Sequence, residues 1–264
     1  MDSRYETIKK LKKKIVEISY HSQEGHIPSA FSILDILYVL YHDVMHIDPK
    51  NPKIEPHDRL IISKGHASLG IYAVMAEAGF FPMQELDTFC QYGSRLGGHP
   101  DFHKIPGIEV STGSLGHGLP LAVGMAMAQK WKQTQNKVFV LIGDGELNEG
   151  TNWEAFMAAK EQELSNLICI LDYNHSSDRA VAFEDVEKKL QQFGWNTQSV
   201  DGHDHQKLEA ALTMQYENDR PVFIAAQTVK GKGCRSMENN PAWHHRSPDE
   251  TERRQLLEEI ENGN

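Results

Sequence analysis

Residues 137–174, KVFVLIGDGELNEGTNWEAFMAAKEQELSNLICILDYN, decide the fold. Val138–Ile142 is an unbroken apolar run, β-branched at Val138, Val140 and Ile142, and Leu167–Leu171 is a second such run. Runs that are apolar on both faces belong to strands buried in a parallel sheet. Between them, Trp153, Phe156, Met157 and Leu164 fall on one stripe of a helix. Strand, helix and strand then form one α/β unit with a right-handed crossover. If the two strands are neighbours, they lie ~4.8 Å apart. Asp144 then leaves the carboxyl end of the first and Asn174 that of the second, at the rim where open α/β sheets bind ligands.

The donors at that rim are a carboxylate and an amide oxygen, both hard and too few to cage a cation. Mg²⁺ takes one or two protein ligands of this kind and completes its shell with phosphate oxygens and water. Gly143 and Gly145 flank Asp144 and are expected to allow positive φ and the close approach of a bulky anion. Gly-Asp-Gly alone also suits an ordinary turn. The helix after it, and an Asn ending the next strand, point instead to a Mg²⁺–diphosphate site.

In these features the chain resembles thiamine-diphosphate enzymes, and specifically the amino-terminal half of transketolase. EGHIPSAFS, DPKNP, SKGHA, GGHPD, STGSLGHG, GDGELNEG, TVKGKG and MENNPAWH carry the resemblance from about residue 15 to residue 248. Pyruvate-dehydrogenase-type α subunits share the GDG and Asn pattern, but SKGHA, GGHP and TVKGKG point away from them. The fold implied is α/β, the thiamine-diphosphate-binding fold, with a largely parallel central sheet and helices on both faces. Residues 1–264 are expected to form one domain, the diphosphate-binding domain.

The resemblance also implies roles. Asp144, Asn174 and the backbone carbonyl of Ser176 would hold Mg²⁺, or another divalent cation such as Ca²⁺. His66, Gly113, Leu115, Gly143, Gly145 and His244 would meet the diphosphate arm of thiamine diphosphate. His26, His99 and His244 would touch the reacting end of a sugar, where imidazoles that titrate near neutrality suit proton transfer. Glu149 would lie at an interface, in acid-to-acid contact with a partner; by position alone it is a helix N-terminal Glu favoured by the macrodipole. The implied reaction is transfer of a two-carbon ketol unit from a ketose phosphate to an aldose, chemistry of the pentose phosphate type.

The glutamate and ring-binding surface that such enzymes place in a second, pyrimidine-binding domain match nothing in this chain. The expectation is therefore a split transketolase whose carboxy-terminal half is a separate polypeptide, assembled as an α2β2 heterotetramer. Alternatives are a deoxyxylulose-synthase-like or 2-oxo-acid dehydrogenase α-type subunit, and a non-catalytic regulatory half. Three departures bear on the substrate. Gly25-His26-Ile27-Pro28 stands where the family usually has GHPG, LGHG places His117 where Gln is common, and HSSDRAV after Asn174 is short. An unusual ketose or acceptor is expected.

Composition agrees with a globular enzyme: 264 residues, 39% hydrophobic and 24% charged. A net charge of −10 argues against nucleic-acid binding. Cys90, Cys169 and Cys234 form no CxxC pair or disulfide framework. The polar start MDSRYETIKKLKKK is no signal peptide, and no run of eighteen apolar residues suggests a membrane span, so a cytosolic protein is expected.

Further along, 4–20 reads as a helix with a solvated lysine face, and Ser29 is expected to cap the next helix. Arg59–Ser63 reads as a strand ending in Lys64-Gly65-His66, with a helix from Ala67 to Glu77. STGSLGHG, 111–118, opens a helix over Leu119–Lys130 that Leu121, Val123, Met125 and Met127 mark as buried. Its glycines suit either tight packing or a diphosphate against free amides. A helix over Val181–Phe193, a strand over Trp195–Val200, a helix over His205–Tyr216, a strand over Val222–Ala226 and a charged helix over 249–262 complete the pattern.

Overall fold

The computed structural model describes residues 3–178, 181–216 and 218–263. Five strands form one sheet in the order β1-β2-β3-β5-β4. They are β1 (Arg59–Ile62), β2 (Val138–Gly143), β3 (Leu167–Tyr173), β4 (Asn196–Asp201) and β5 (Val222–Gln227), and every pairing is parallel. β2 and β3 are neighbours with Gly143 opposite Asp172, so Asp144 and Asn174 do leave adjacent strand ends.

The apolar runs are explained by two cores, one on each sheet face. Phe139, Leu141, Ile168, Ile170 and Ile224 point to one side, where α1 (Ser3–Ser22), α2 (Ile27–Val39), α3 (Ser68–Glu77), α7 (His205–Thr213) and α8 (Glu250–Asn262) cover them. Val138, Val140, Ile142, Cys169 and Phe223 point to the other, under α4 (Gly118–Trp131), α5 (Gly150–Glu161) and α6 (Val186–Gln192). Each such side chain, fully withdrawn from water, contributes about 1.5–3 kcal/mol. Cys169 is a packed core residue, as its place in the strand suggests.

Several local expectations change. Helix α2 begins at Ile27 with His26 as its N-cap residue and Pro28 in its first turn, where a missing N–H costs nothing. Ser29 therefore lies inside the helix, its hydroxyl buried without a partner, and is no cap. Ile27–Val44, which runs on into a π-helical turn at Leu40–Val44, has a mean hydropathy of 1.2 and is 78% buried inside the fold. Helix α6 starts at Val186 rather than Val181, which is exposed; of the short stretch HSSDRAV after Asn174, residues 179–180 lie outside the described residues. Helix α5 stops at Glu161, so Leu164 packs from the turn beyond it, while Met157 is exposed. Helix α4 is half-buried, and Leu121 faces outward.

Candidate active site

The carboxyl ends of β1, β2, β3 and β5 gather Lys64, Asp144, Asn174 and Thr228 at one rim. Beneath it lies a buried polar network centred on Asp172, which is fully enclosed. Lys64 Nζ forms an ion pair with Asp172 Oδ2, and the hydroxyls of Ser32 and Thr228 donate to Oδ1. Burial alone would push the Asp172 carboxyl up, but the Lys64 ammonium and these bonds outweigh it and hold the carboxyl low. Asn174 Nδ2 donates to Asp172 Oδ2 and Ser32 Oγ, each at 3.0 Å. That fixes the amide so that Asn174 Oδ1 faces the loop, where it accepts Ser176 N–H at 3.1 Å. Ser176 Oγ donates to Asp144 Oδ1 at 3.1 Å, and Ser177 N–H to Oδ2 at 3.2 Å. Asp144 and Asn174 thus share Ser176 as a common neighbour.

Among the described residues, no three His, Cys, Asp or Glu side chains cluster to hold a metal. The oxygen pair Asp144 and Asn174 suits a hard cation that draws its other ligands from elsewhere, as a diphosphate would supply. The flanking glycines act through space rather than through φ. Gly143 has φ −97°, Gly145 is not among the residues with positive φ, and a Cβ on Gly145 would meet no atom within 4 Å. The expected positive φ is absent, and room for a bulky anion is present.

The glycine-rich turn is more firmly packed than a simple cradle for an anion. Gly116 N–H donates to Glu146 Oε1 at 2.8 Å, and Gly118 N–H to Ser63 Oγ at 3.1 Å. Both amides are used inside the protein, which leaves Gly113 and Leu115 as the positions expected to meet a ligand. Glu146 is itself 1% exposed and also accepts Gly143 N–H at 2.9 Å and the Ser63 hydroxyl. Burial raises its pKa against those bonds.

The histidines converge. His26 has ring centroids 5.1 Å from His66 and 5.5 Å from His244, and His66 lies 6.3 Å from His244. His99 packs over Gly113, where a Cβ would come within 3.1 Å of its ring. Desolvation, then the neighbouring imidazoles His245, His244 and His99 and the Lys230 ammonium, lowers His26 to about 4. His66 and His244 are lowered as well, chiefly by desolvation. All three are held neutral near pH 7, ready to donate and accept hydrogen bonds. Glu149 is the exposed N-cap residue of α5, beside Gly116, and its side chain makes no cap bond. His117 is exposed and folds back on the Leu115 carbonyl at 3.1 Å.

Sequence patterns do not single out Lys64, Asp172, Lys230 and His245. His245 stacks on His26 at 4.3 Å and lies 3.6 Å from Glu24. Lys230 Nζ stands 3.2 Å from His244 Nδ1 and forms no ion pair among the described residues. Burial and the Lys64 charge bring it down to about 8. A cavity of about 420 Å³ is lined by Asn174, Ser176, Lys230 and His244 together with Asn239 and Asn240. The one signal for the buried network is a charge inside LICILDYN, since an Asp in a buried strand requires a buried partner.

Residues 3–260 match the family model described as transketolase, thiamine diphosphate binding domain. The chain is 37% identical over 257 residues to one subunit of an apulose-4-phosphate transketolase from Phocaeicola vulgatus, covering 95% of this chain and 91% of that protein. It is 39% identical over 227 residues to a 6-deoxy-6-sulfo-D-fructose transketolase subunit of a Clostridium species, covering 84% and 82%. The solved transketolase of Campylobacter jejuni superposes with a TM-score of 0.87 at 31% identity over 98% of this chain, which spans 42% of that one. The chain likewise spans 41% of the human transketolase that it matches at 36% identity.

Proposed function

We propose that this chain, which belongs to the transketolase thiamine-diphosphate-binding domain family, is the diphosphate-holding subunit of a two-polypeptide ketol transferase. One observation carries the reading: Asn174 and Ser176, the latter bonded to Asp144, line the same cavity as Lys230 and His244. An amide oxygen beside a carboxylate, an ammonium that forms no ion pair among the described residues and the neutral His244 imidazole around one space suit an anion-tailed cofactor facing a hydroxylated substrate.

Asp144 and Asn174, with the Ser176 carbonyl, would hold Mg²⁺. Gly113, Leu115, Gly143, Gly145 and His66 would border the diphosphate, and Lys230 would offset its charge. Thiamine diphosphate, when bound, supplies the electron sink that lets a carbon–carbon bond beside a carbonyl break. His26, His99 and His244 would orient the sugar and exchange protons with its hydroxyls. Glu149 and the exposed side chains of α4 would face the second subunit, in an α2β2 assembly. The names of the relatives, as subunits, support a separate partner. Their sugars, an apulose phosphate and a sulfofructose, support a donor outside the common ketose phosphates.

The test is reconstitution. The chain is assayed with thiamine diphosphate, Mg²⁺ and a panel of ketose phosphates and sulfonates, with and without a pyrimidine-binding carboxy-terminal subunit. Ketol transfer is expected only with both polypeptides and is expected to be lost on chelation of the metal. Appreciable turnover by this chain alone overturns the proposal.

A further inference from the structure

Asp35 on α2 is 3% exposed, and each of its carboxylate oxygens meets an imidazole. His203 Nδ1 lies 2.8 Å from Oδ2 and His205 Nε2 lies 2.7 Å from Oδ1. Burial works to raise this carboxyl, but the two imidazole bonds prevail and hold it well below the usual carboxylate range. His203 sits between β4 and α7, and its other nitrogen, Nε2, accepts the backbone N–H of Val229 at 3.0 Å. A backbone amide can only donate, so Nε2 carries a lone pair and the ring proton sits on Nδ1, facing Asp35. One tautomer of a neutral imidazole satisfies both contacts.

Val229 precedes Lys230 in the segment that crosses the rim after β5. The segment is fixed residue by residue. Thr228 N–H donates to the Tyr173 carbonyl at 3.2 Å, Val229 N–H to His203, and Gly231 N–H to the Pro28 carbonyl at 3.1 Å. Lys230 is held by these neighbours and by its own carbonyl, which accepts Asn239 N–H at 2.9 Å, and its side chain reaches His244. None of Asp35, His203 or His205 lines the cavity that Lys230 shares with Asn174.

We propose that His203 is a positioning residue. Oriented by Asp35, it grips the Val229 amide and so sets the Lys230 ammonium beside His244 in that cavity. The functional consequence rests on reading the cavity as the diphosphate site. Two conservative variants separate this role from a plain structural staple. Gln at 203 extends an amide oxygen about as far as Nε2, keeping the acceptor for Val229. Asn at 203 keeps a donor near Nδ1 for Asp35 and loses that acceptor.

The measurements are made on the full chain: hydrogen exchange at the Val229 amide and the pH profile of Lys230 amine labelling. His203→Asn is expected to speed Val229 exchange roughly tenfold, the scale of one lost hydrogen bond, and to shift the Lys230 profile. His203→Gln is expected to leave both near those of the unsubstituted chain. In the presence of Mg²⁺ and the partner subunit, the Asn variant is expected to bind thiamine diphosphate more weakly than the Gln variant. A Gln variant that loosens Val229 while the Asn variant does not overturns the proposal. Equal behaviour of the two does the same. Altered exchange and labelling with unchanged cofactor affinity overturns the diphosphate reading of the cavity and leaves the tether standing. Without any substitution, ¹⁵N imidazole shifts must report the Nδ1–H tautomer for His203, and an Nε2–H tautomer or an imidazolium overturns the tether directly.

Discussion

His26 shows how much one residue owes to its neighbours. It faces His66, His99, His244 and His245 on other segments, and Lys230 adds a positive charge. Desolvation and these neighbours disfavour its protonated form, so the folded pKa of about 4 lies below the unfolded value of 6.5. Below pH 6.5 the unfolded chain takes up the proton first. Stability is therefore complete above that pH and falls as the pH drops from 6.5 through about 4. His66 and His244, lowered too, add in the same direction. Chemical denaturation across pH 4 to 7 is expected to show this slope, and His26→Asn is expected to flatten it in part. A slope unchanged by the substitution sinks the assignment. His26, His66, His99 and His244 are legible in the sequence because each sits in a short motif at a strand or helix end. Lys64 and Lys230 also sit in short motifs, SKGHA and TVKGKG, but the pairing of Lys64 with Asp172 is not legible, because the sheet order and not spacing brings them together. Lys64 and Asp172 stand 108 positions apart in the chain.

At the scale of elements, strand existence and order of adjacency follow from apolar runs, while element ends do not. Ends depend on caps and tertiary contacts, as at Ser29, where Pro28 and His26 set the helix start instead. The turn before α4 shows a second limit. Two roles of its glycines, packing and ligand contact, predict the same letters, and coordinates are needed to divide them. Gly118 belongs to packing: a Cβ there would stand 2.4 Å from Ser63 Cβ and 2.8 Å from Ser63 Cα. Gly118→Ala must push α4 away from the end of β1 and break the Gly118–Ser63 bond. Overpacking of this kind costs about 1–3 kcal/mol, and a lower Tm together with weaker cofactor affinity is expected. Gly145→Ala, which meets no atom within 4 Å, is expected to leave Tm nearly unchanged while weakening cofactor affinity. A cofactor affinity unaffected by Gly145→Ala would show that the open space there serves no ligand.

For the whole molecule, the decisive feature is a surface left apolar. Periodicity marks Leu121 as core, because it records that a face is apolar and not what covers it. In the fold, α4 leaves Leu121 45% and Trp131 74% exposed, while Met125 is half-buried against the core beneath the helix. Met157 on the adjoining α5 is 52% exposed. These exposed apolar side chains are where the proposed second subunit would dock. The acidic total of −10 helps keep the chain dispersed in water. Large aromatic side chains at the centre of an interface commonly contribute about 2 kcal/mol or more to association. Trp131→Asp is therefore expected to leave the Tm of the isolated chain within about a degree, since the side chain buries little there, in line with the small effect of most surface substitutions. The same change is expected to weaken binding to the carboxy-terminal subunit by roughly thirtyfold or more, measured by calorimetry or by sedimentation. Partner affinity that survives the substitution would move the interface off α4, and a large fall in Tm would mean that Trp131 supports the fold of the chain itself.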